Sequence, residues 1–214
     1  MKVTVPNLIR AAGLSAVLAG AMFAAILPIN PPDVFASVNT SSFILLTSLK
    51  TAMSIFGLLG ITGLYARQVE KTGWLGLAGY LLLTIFFALQ MCFSFIEPTI
   101  LPLLTSMAPA FVESTLAMRS GAVGSMNLGA LATVYSLTSI LFILGLLLFG
   151  IATFRARILP RWAGILLAAG TLLAPLAALL PNGSQPKIAI PVGLALAWLG
   201  YALMTERREP LAEP

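Results

Sequence analysis

The stretch "GLYARQVEKTGWLGLAGY", Gly63–Tyr80, carries Arg67, Glu70 and Lys71 within five residues, with apolar sequence running away on both sides. Upstream, residues 43–66 are apolar over more than the ~20 residues that a helix needs to cross a bilayer. Downstream, residues 74–96 are equally long and apolar. A link as short as "RQVEKTG" between two such runs reads as the turn of a helical hairpin. Its charges stay in water while the limbs cross lipid, and Trp74 follows it where an amphipathic ring suits the membrane interface.

Four more runs lie outside this hairpin, at residues 8–29, 128–154, 162–180 and 188–204. Pro175 and Pro191 fall inside the last two, where neighbouring helices compensate for the break. The chain of 214 residues is 59% hydrophobic and 9% charged. A soluble domain is about a quarter charged. The expected fold is therefore all-α: one integral membrane domain over residues 1–214, with six transmembrane helices. The first run, preceded by Lys2 and Arg10 and followed by a weak cleavage-like "VFAS" at Val34–Ser37, has some signal-peptide character. Its apolar stretch is long for that role, and a retained first helix is the expectation.

Basic residues set the orientation. One side collects Lys2, Arg10, Arg67, Lys71, Arg155, Arg157, Arg161, Arg207 and Arg208; the other has only Lys50, Arg119 and Lys187. Both termini are expected on the cytoplasmic side of the plasma membrane. The formal charge of +5 is dispersed in short clusters between apolar runs, which argues against nucleic acid and for topology and lipid head groups. The single cysteine, Cys92, rules out an intrachain disulfide and reads as packing. With no histidine, imidazole bases and histidine-ligated haem or zinc are excluded, and no cofactor or metal is expected.

The longest external segment spans residues 97–127. It contains "APAFVESTLAMRSG", which reads as one short amphipathic helix from Pro109 to Gly121. Phe111, Val112, Thr115, Leu116 and Met118 are expected to rest on the outer leaflet, as a lid over the bundle. Glu113 and Arg119, six residues apart, share no helix face and read as solvated interface charges.

Shifting the sequence by 88 residues lays "SLKTAMSIFGLLG" over "SLTSILFILGLLL", Arg67 over Arg155, Trp74 over Trp162 and Gly76 over Gly164. A helical hairpin used three times in one orientation accounts for this, and parallel repeats of that kind occur in transporters. Gly13, Gly57, Gly60, Gly63, Gly76, Gly79, Gly145, Gly164 and Gly170 read as close helix contacts, since small residues let helices approach in lipid.

Three features together resemble a family of uncharacterised bacterial multi-pass membrane proteins with six helices. They are "RAAG" from Arg10, a basic residue early in the second helix, and "GIATFRARILPRWAGILLAAG" from Gly150 to Gly170. The family opens its first helix with Arg-x-x-Gly and joins the fourth and fifth by an R-x-x-x-P-R-x-x-G-like turn. The last helix, "PVGLALAWLGYAL", is also similar, but this chain has Val192 and Gly193 where the family often has a Glu, so no acidic site is expected there. The resemblance implies an inner-membrane bundle and brings no activity with it.

Lys50 is the residue that bears on function. It lies 17 residues before Arg67, so about 25 Å along the helix, in the outer third of a bilayer about 30 Å thick. One reading has it snorkel to the external interface. The other turns it inward, where an intramembrane charge is a functional hypothesis. Thr47, Lys50, Thr51, Ser54 and Gly57 share a face. By the repeat, Tyr135, Ser136 and Ser139 match them on the fourth helix, while Gln90, Ser94 and Glu97 lie in the outer half of the third. The candidate ligand-binding set is Lys50, Thr51, Ser54, Gln90, Glu97, Tyr135 and Ser139, with Glu97 as first partner for Lys50 and Asp33 or Glu113 as second. Three functions stay open. The first is a non-catalytic protein binding a lipid or small lipophile, or supporting a membrane partner or a second copy. The second is a small transporter or channel. The third and weakest is a lipid-modifying enzyme using Lys50 and Glu97, which would have to do acid–base work without histidine.

Overall fold

A computed structural model describes residues 4–177 and 189–206, and every regular element among them is helical. The helices are α1 (Val5–Ile26), α2 (Ser41–Thr99), α3 (Leu101–Met107), α4 (Pro109–Arg119), α5 (Ala130–Ala156), α6 (Arg161–Ala177) and α7 (Ala189–Thr205). Three stretches are long and apolar enough to cross a membrane: Val5–Ile29, Ser41–Thr99 and Ala130–Ala156. α6 and α7 are shorter apolar helices. Lys187 with its "PNGSQPK" turn, Arg207 and Arg208 lie outside the described residues.

α2 has 59 residues and would be about 88 Å long if straight. It is not straight. Gly73 has φ 54° and ψ −155°, a conformation open in practice only to glycine, and nothing lies near where its side chain would be. The chain reverses there. Tyr65 stacks on Tyr80 with ring centroids 4.5 Å apart, and Gly57 packs on the ring of Phe87. The hairpin turn is thus narrower than "RQVEKTG" suggests, because the first limb stays helical up to Gly73. Gln68 and Thr72 hold it so: Gln68 Nε2 donates to Thr153 Oγ1 at 3.0 Å, and Thr72 Oγ1 donates to the Gln68 carbonyl at 3.1 Å.

The segments close into a ring in chain order: α1, the first limb of α2, its second limb, α5, α6, α7 and back to α1. Small residues make the joints, as lipid-compatible packing requires. Gly13 lies on the backbone of Gly200 and Gly20 on that of Gly193, joining α1 to α7. Gly60 meets Ala16, Gly79 meets Phe149, and Gly150 meets Gly164. At the centre, Phe142 of α5 packs on Phe23 of α1 and Phe86 of α2, with centroids 5.7 Å and 4.8 Å apart. The aromatic rings fill the middle of the bundle.

A second, smaller core sits at the end of the ring where α3 and α4 lie. Val38, Phe43, Leu101, Val112 and Leu116 are buried together, with Phe35, Leu104 and Phe111 against them. The helix read from Pro109 to Gly121 is α4, and a further short helix, α3, precedes it. The apolar face of α4 covers protein, which corrects its placement on a lipid surface: α3 and residues 35–43 take up Val112 and Leu116 instead. Cys92, read as a packing residue, is exposed.

At the opposite end, Arg67 Nε donates to Glu206 Oε2 at 2.6 Å and ties the end of α7 to α2. Both side chains keep over a quarter of their exposure, 26% and 29%, so solvent screens the pair. Arg67→Ala is expected to change stability by less than about 1 kcal/mol in a denaturant titration; a larger loss would mean that this tie helps close the ring.

Candidate functional site

The polar residues of the capped end start with Lys50. Gly57 faces Phe87 and Tyr65 faces Tyr80 across the hairpin, so Lys50 comes level with Ser94 and Phe95, about one turn below Glu97. Side chains tilt toward the N-terminal end of their helix, and for the first limb that end is the cap. Lys50 is 5% exposed and faces inward with Thr47 and Ser54, both buried. Ser54 Oγ donates to the Lys50 carbonyl at 2.9 Å, and Thr47 Oγ1 to that of Phe43 at 2.6 Å. Thr51 Oγ1 is buried without a hydrogen-bond partner.

The partner expected for Lys50 is taken by another residue. Glu97 Oε1 lies 2.5 Å from Arg119 Nη1, and Asp33 Oδ1 lies 3.1 Å from Arg119 Nη2. The side chains of Arg119 and Glu97 are each 8% exposed. Arg119 is therefore not a solvated interface charge, and the expected Lys50–Glu97 ion pair is not formed. Lys50 makes no ion pair with any described carboxylate, although it lies within electrostatic reach of Arg119, Glu97 and Asp33. Tyr135 shares that reach and sets its ring edge-on to Phe93 at 5.5 Å. Glu113 is exposed and stays outside the cluster.

Local structure explains why Arg119 arrives there. Gly121, at φ 77°, ends α4, and the Ala122 amide donates back to the Ala117 carbonyl at 2.8 Å. That fixes Arg119 in the last turn of the helix, where a cation also suits the helix dipole. Burial works against the guanidinium, but the Glu97 and Asp33 carboxylates outweigh it and hold the Arg119 pKa above the usual arginine value. The formal charges of Arg119, Glu97 and Asp33 sum to one negative. The clamp joins α4, the end of α2 and the segment after α1.

The other candidates divide. Gln90 Nε2 donates to Ser94 Oγ at 3.0 Å, so this pair satisfies itself within one helix face. Ser136 and Ser139 are exposed, and Thr138 is the buried hydroxyl of that turn; the structure does not bring Ser139 to the cluster. Of the residues expected, Lys50, Glu97 and Tyr135 come near one another, together with Arg119 and Asp33.

Between α4, the segment after it and the start of α5 lies an open cleft of about 600 Å³. Ser114 and Met118 of α4, residues 121–128, and Ala132 and Ser136 of α5 line it. Its wall is shaped by Ser114 Oγ, which accepts from the Met126 amide at 3.0 Å, and by Gly124, whose backbone leaves no room for a side chain against Ser114. Cleft and charge cluster draw on the same two helices, α4 and α5, through different residues. Of the residues read from the sequence as matching Lys50, only Ser136 lines it. Comparison with family models, curated proteins and solved structures finds no match to this chain.

Proposed function

We propose that the chain is an integral membrane protein that crosses the bilayer six times, with both termini in the cytoplasm, and holds a lipid or small lipophile at its outer end without catalysing a reaction. The cleft against α4 and α5 is the observation that carries this reading. It is an open depression rather than a closed cavity, large enough for part of a lipid chain, and it mixes methionine, alanine and leucine with serine and asparagine. The folding back of α2 supports the count, giving two apolar limbs, and α6 and α7 complete the ring. The distribution of Lys and Arg supports the orientation. The 88-residue repeat favours a transporter, but the packing of Phe23, Phe86 and Phe142 at the centre counts against a through-path. The occupation of Glu97 by Arg119 counts against an acid–base pair with Lys50.

Native mass spectrometry of the purified chain tests the reading. The wild type is expected to retain lipid or lipophile, and Ser136→Trp, which fills the cleft from an exposed position, to lose at least about nine-tenths of it with folding intact. Equal retention by Ser136→Trp would move the ligand elsewhere. If the wild type retains nothing and proteoliposomes leak ions, the channel reading replaces this one.

A further inference from the structure

Lys50 and Arg119 are two cations within reach of the same two carboxylates, and only Arg119 is paired with them. They sit on different elements: Lys50 is on the first limb of α2, and Arg119 is on α4, which packs with α3 against Val38 and against Phe43 at the start of that limb. Glu97, near the end of α2, is buried, and its Oε2 has no hydrogen-bond partner. If α4 lifted and Arg119 left with it, the buried Glu97 carboxylate would remain behind without its partner, and that is costly. Lys50 stands about one turn below Glu97, pointing toward the cap, and a four-carbon stem spans about that distance.

We infer that Lys50 is the replacement partner: when the cap opens, the Lys50 ammonium moves up to Glu97 and takes the place of Arg119. The cap is then a two-state lid over the outer end, closed with Arg119 on Glu97 and Asp33, open with Lys50 on Glu97. Lys50 stabilises the open state and Arg119 the closed one. The inference rests on the binding reading only in what the lid covers, since α4 forms one wall of the cleft.

Hydrogen–deuterium exchange over residues 101–126 of the full chain in detergent reads cap opening. Arg119→Met is expected to speed exchange there at least about tenfold while the ring stays folded. Lys50→Met is expected to slow it by a similar factor. A static charge network predicts the same sign for both, so faster exchange in Lys50→Met overturns the inference, as does an unchanged rate. Glu97→Gln supplies a second check. With the carboxylate neutralised, adding Lys50→Met should no longer change cap exchange, and a full Lys50 effect in that background would contradict the exchange of partners. Lipid retention by the wild type, measured in the same preparations, judges the binding reading separately. Its failure would leave opposite signs in the exchange data possible, and its success would not rescue equal signs.

Discussion

Gly20→Leu, or Gly193→Leu opposite it, is expected to abolish the folded state. These two glycines sit backbone to backbone where α1 meets α7. A side-chain carbon at Gly193 would fall 2.5 Å from the Gly20 carbonyl oxygen and 2.7 Å from the Ala24 nitrogen. Ordinary overpacking costs about 1–3 kcal/mol because side chains shift. Here the obstacle is main chain of a neighbouring helix, which can yield only if α1 parts from α7. That joint closes the ring, so the expected loss is about 4 kcal/mol or more, in the range reserved for severe lesions. The yield of monodisperse protein in mild detergent, followed by a denaturant titration, measures it. Ala25→Leu, at an exposed position of the same helix, is the control and is expected to behave as wild type. Wild-type yield from Gly20→Leu would show that α1 and α7 do not touch as described.

Phe86→Ala is expected to cost about 3 kcal/mol or more, the usual result of removing a buried aromatic ring. Phe86 is 8% exposed and bridges Phe87 and Phe142, at 5.0 Å and 4.8 Å between centroids. Much of the loss comes from contacts, because a vacated ring leaves its neighbours without partner atoms. A titration of Phe86→Ala beside Phe95→Ala separates the two settings, since Phe95 is exposed on the same limb. Phe95→Ala should cost under about 1 kcal/mol. Equal costs would mean that the centre of the ring is not packed.

The helices were legible because long apolar runs are long apolar runs in any context. Their faces were not. Helices this apolar carry apolar residues on every face, so composition does not tell Cys92, which is exposed, from Phe86 or Phe87, which are buried. Glycine was the better guide: Gly57, Gly60, Gly79, Gly145 and Gly164 each abut a neighbouring segment, as their small size implied, and Gly20, Gly150, Gly193 and Gly200 join them, whereas Gly76 meets only Thr72 across its own turn. Arg119 was misread because its charge was weighed against Glu113 in its own helix, whereas its partners Asp33 and Glu97 come from other elements. No local pattern encodes that meeting. It needs the Gly121 turn, the small core around Val112 and the end of α2 to come together. Ser139 failed for a related reason. Repeat alignment carries over sequence register but not which face a neighbour covers, and α5 buries Thr138 instead.

The most direct test of six crossings with the cap outside is thiol labelling of intact cells with a membrane-impermeant maleimide, in a Cys92→Ser background. Val123→Cys lies on the cap and is 99% exposed; Val69→Cys lies beside the Gly73 turn and is 44% exposed; Arg157→Cys lies between α5 and α6. The account predicts labelling at 123 in intact cells, and at 69 and 157 only after the membrane is opened. Labelling at 69 or 157 in intact cells, or protection at 123, would contradict it.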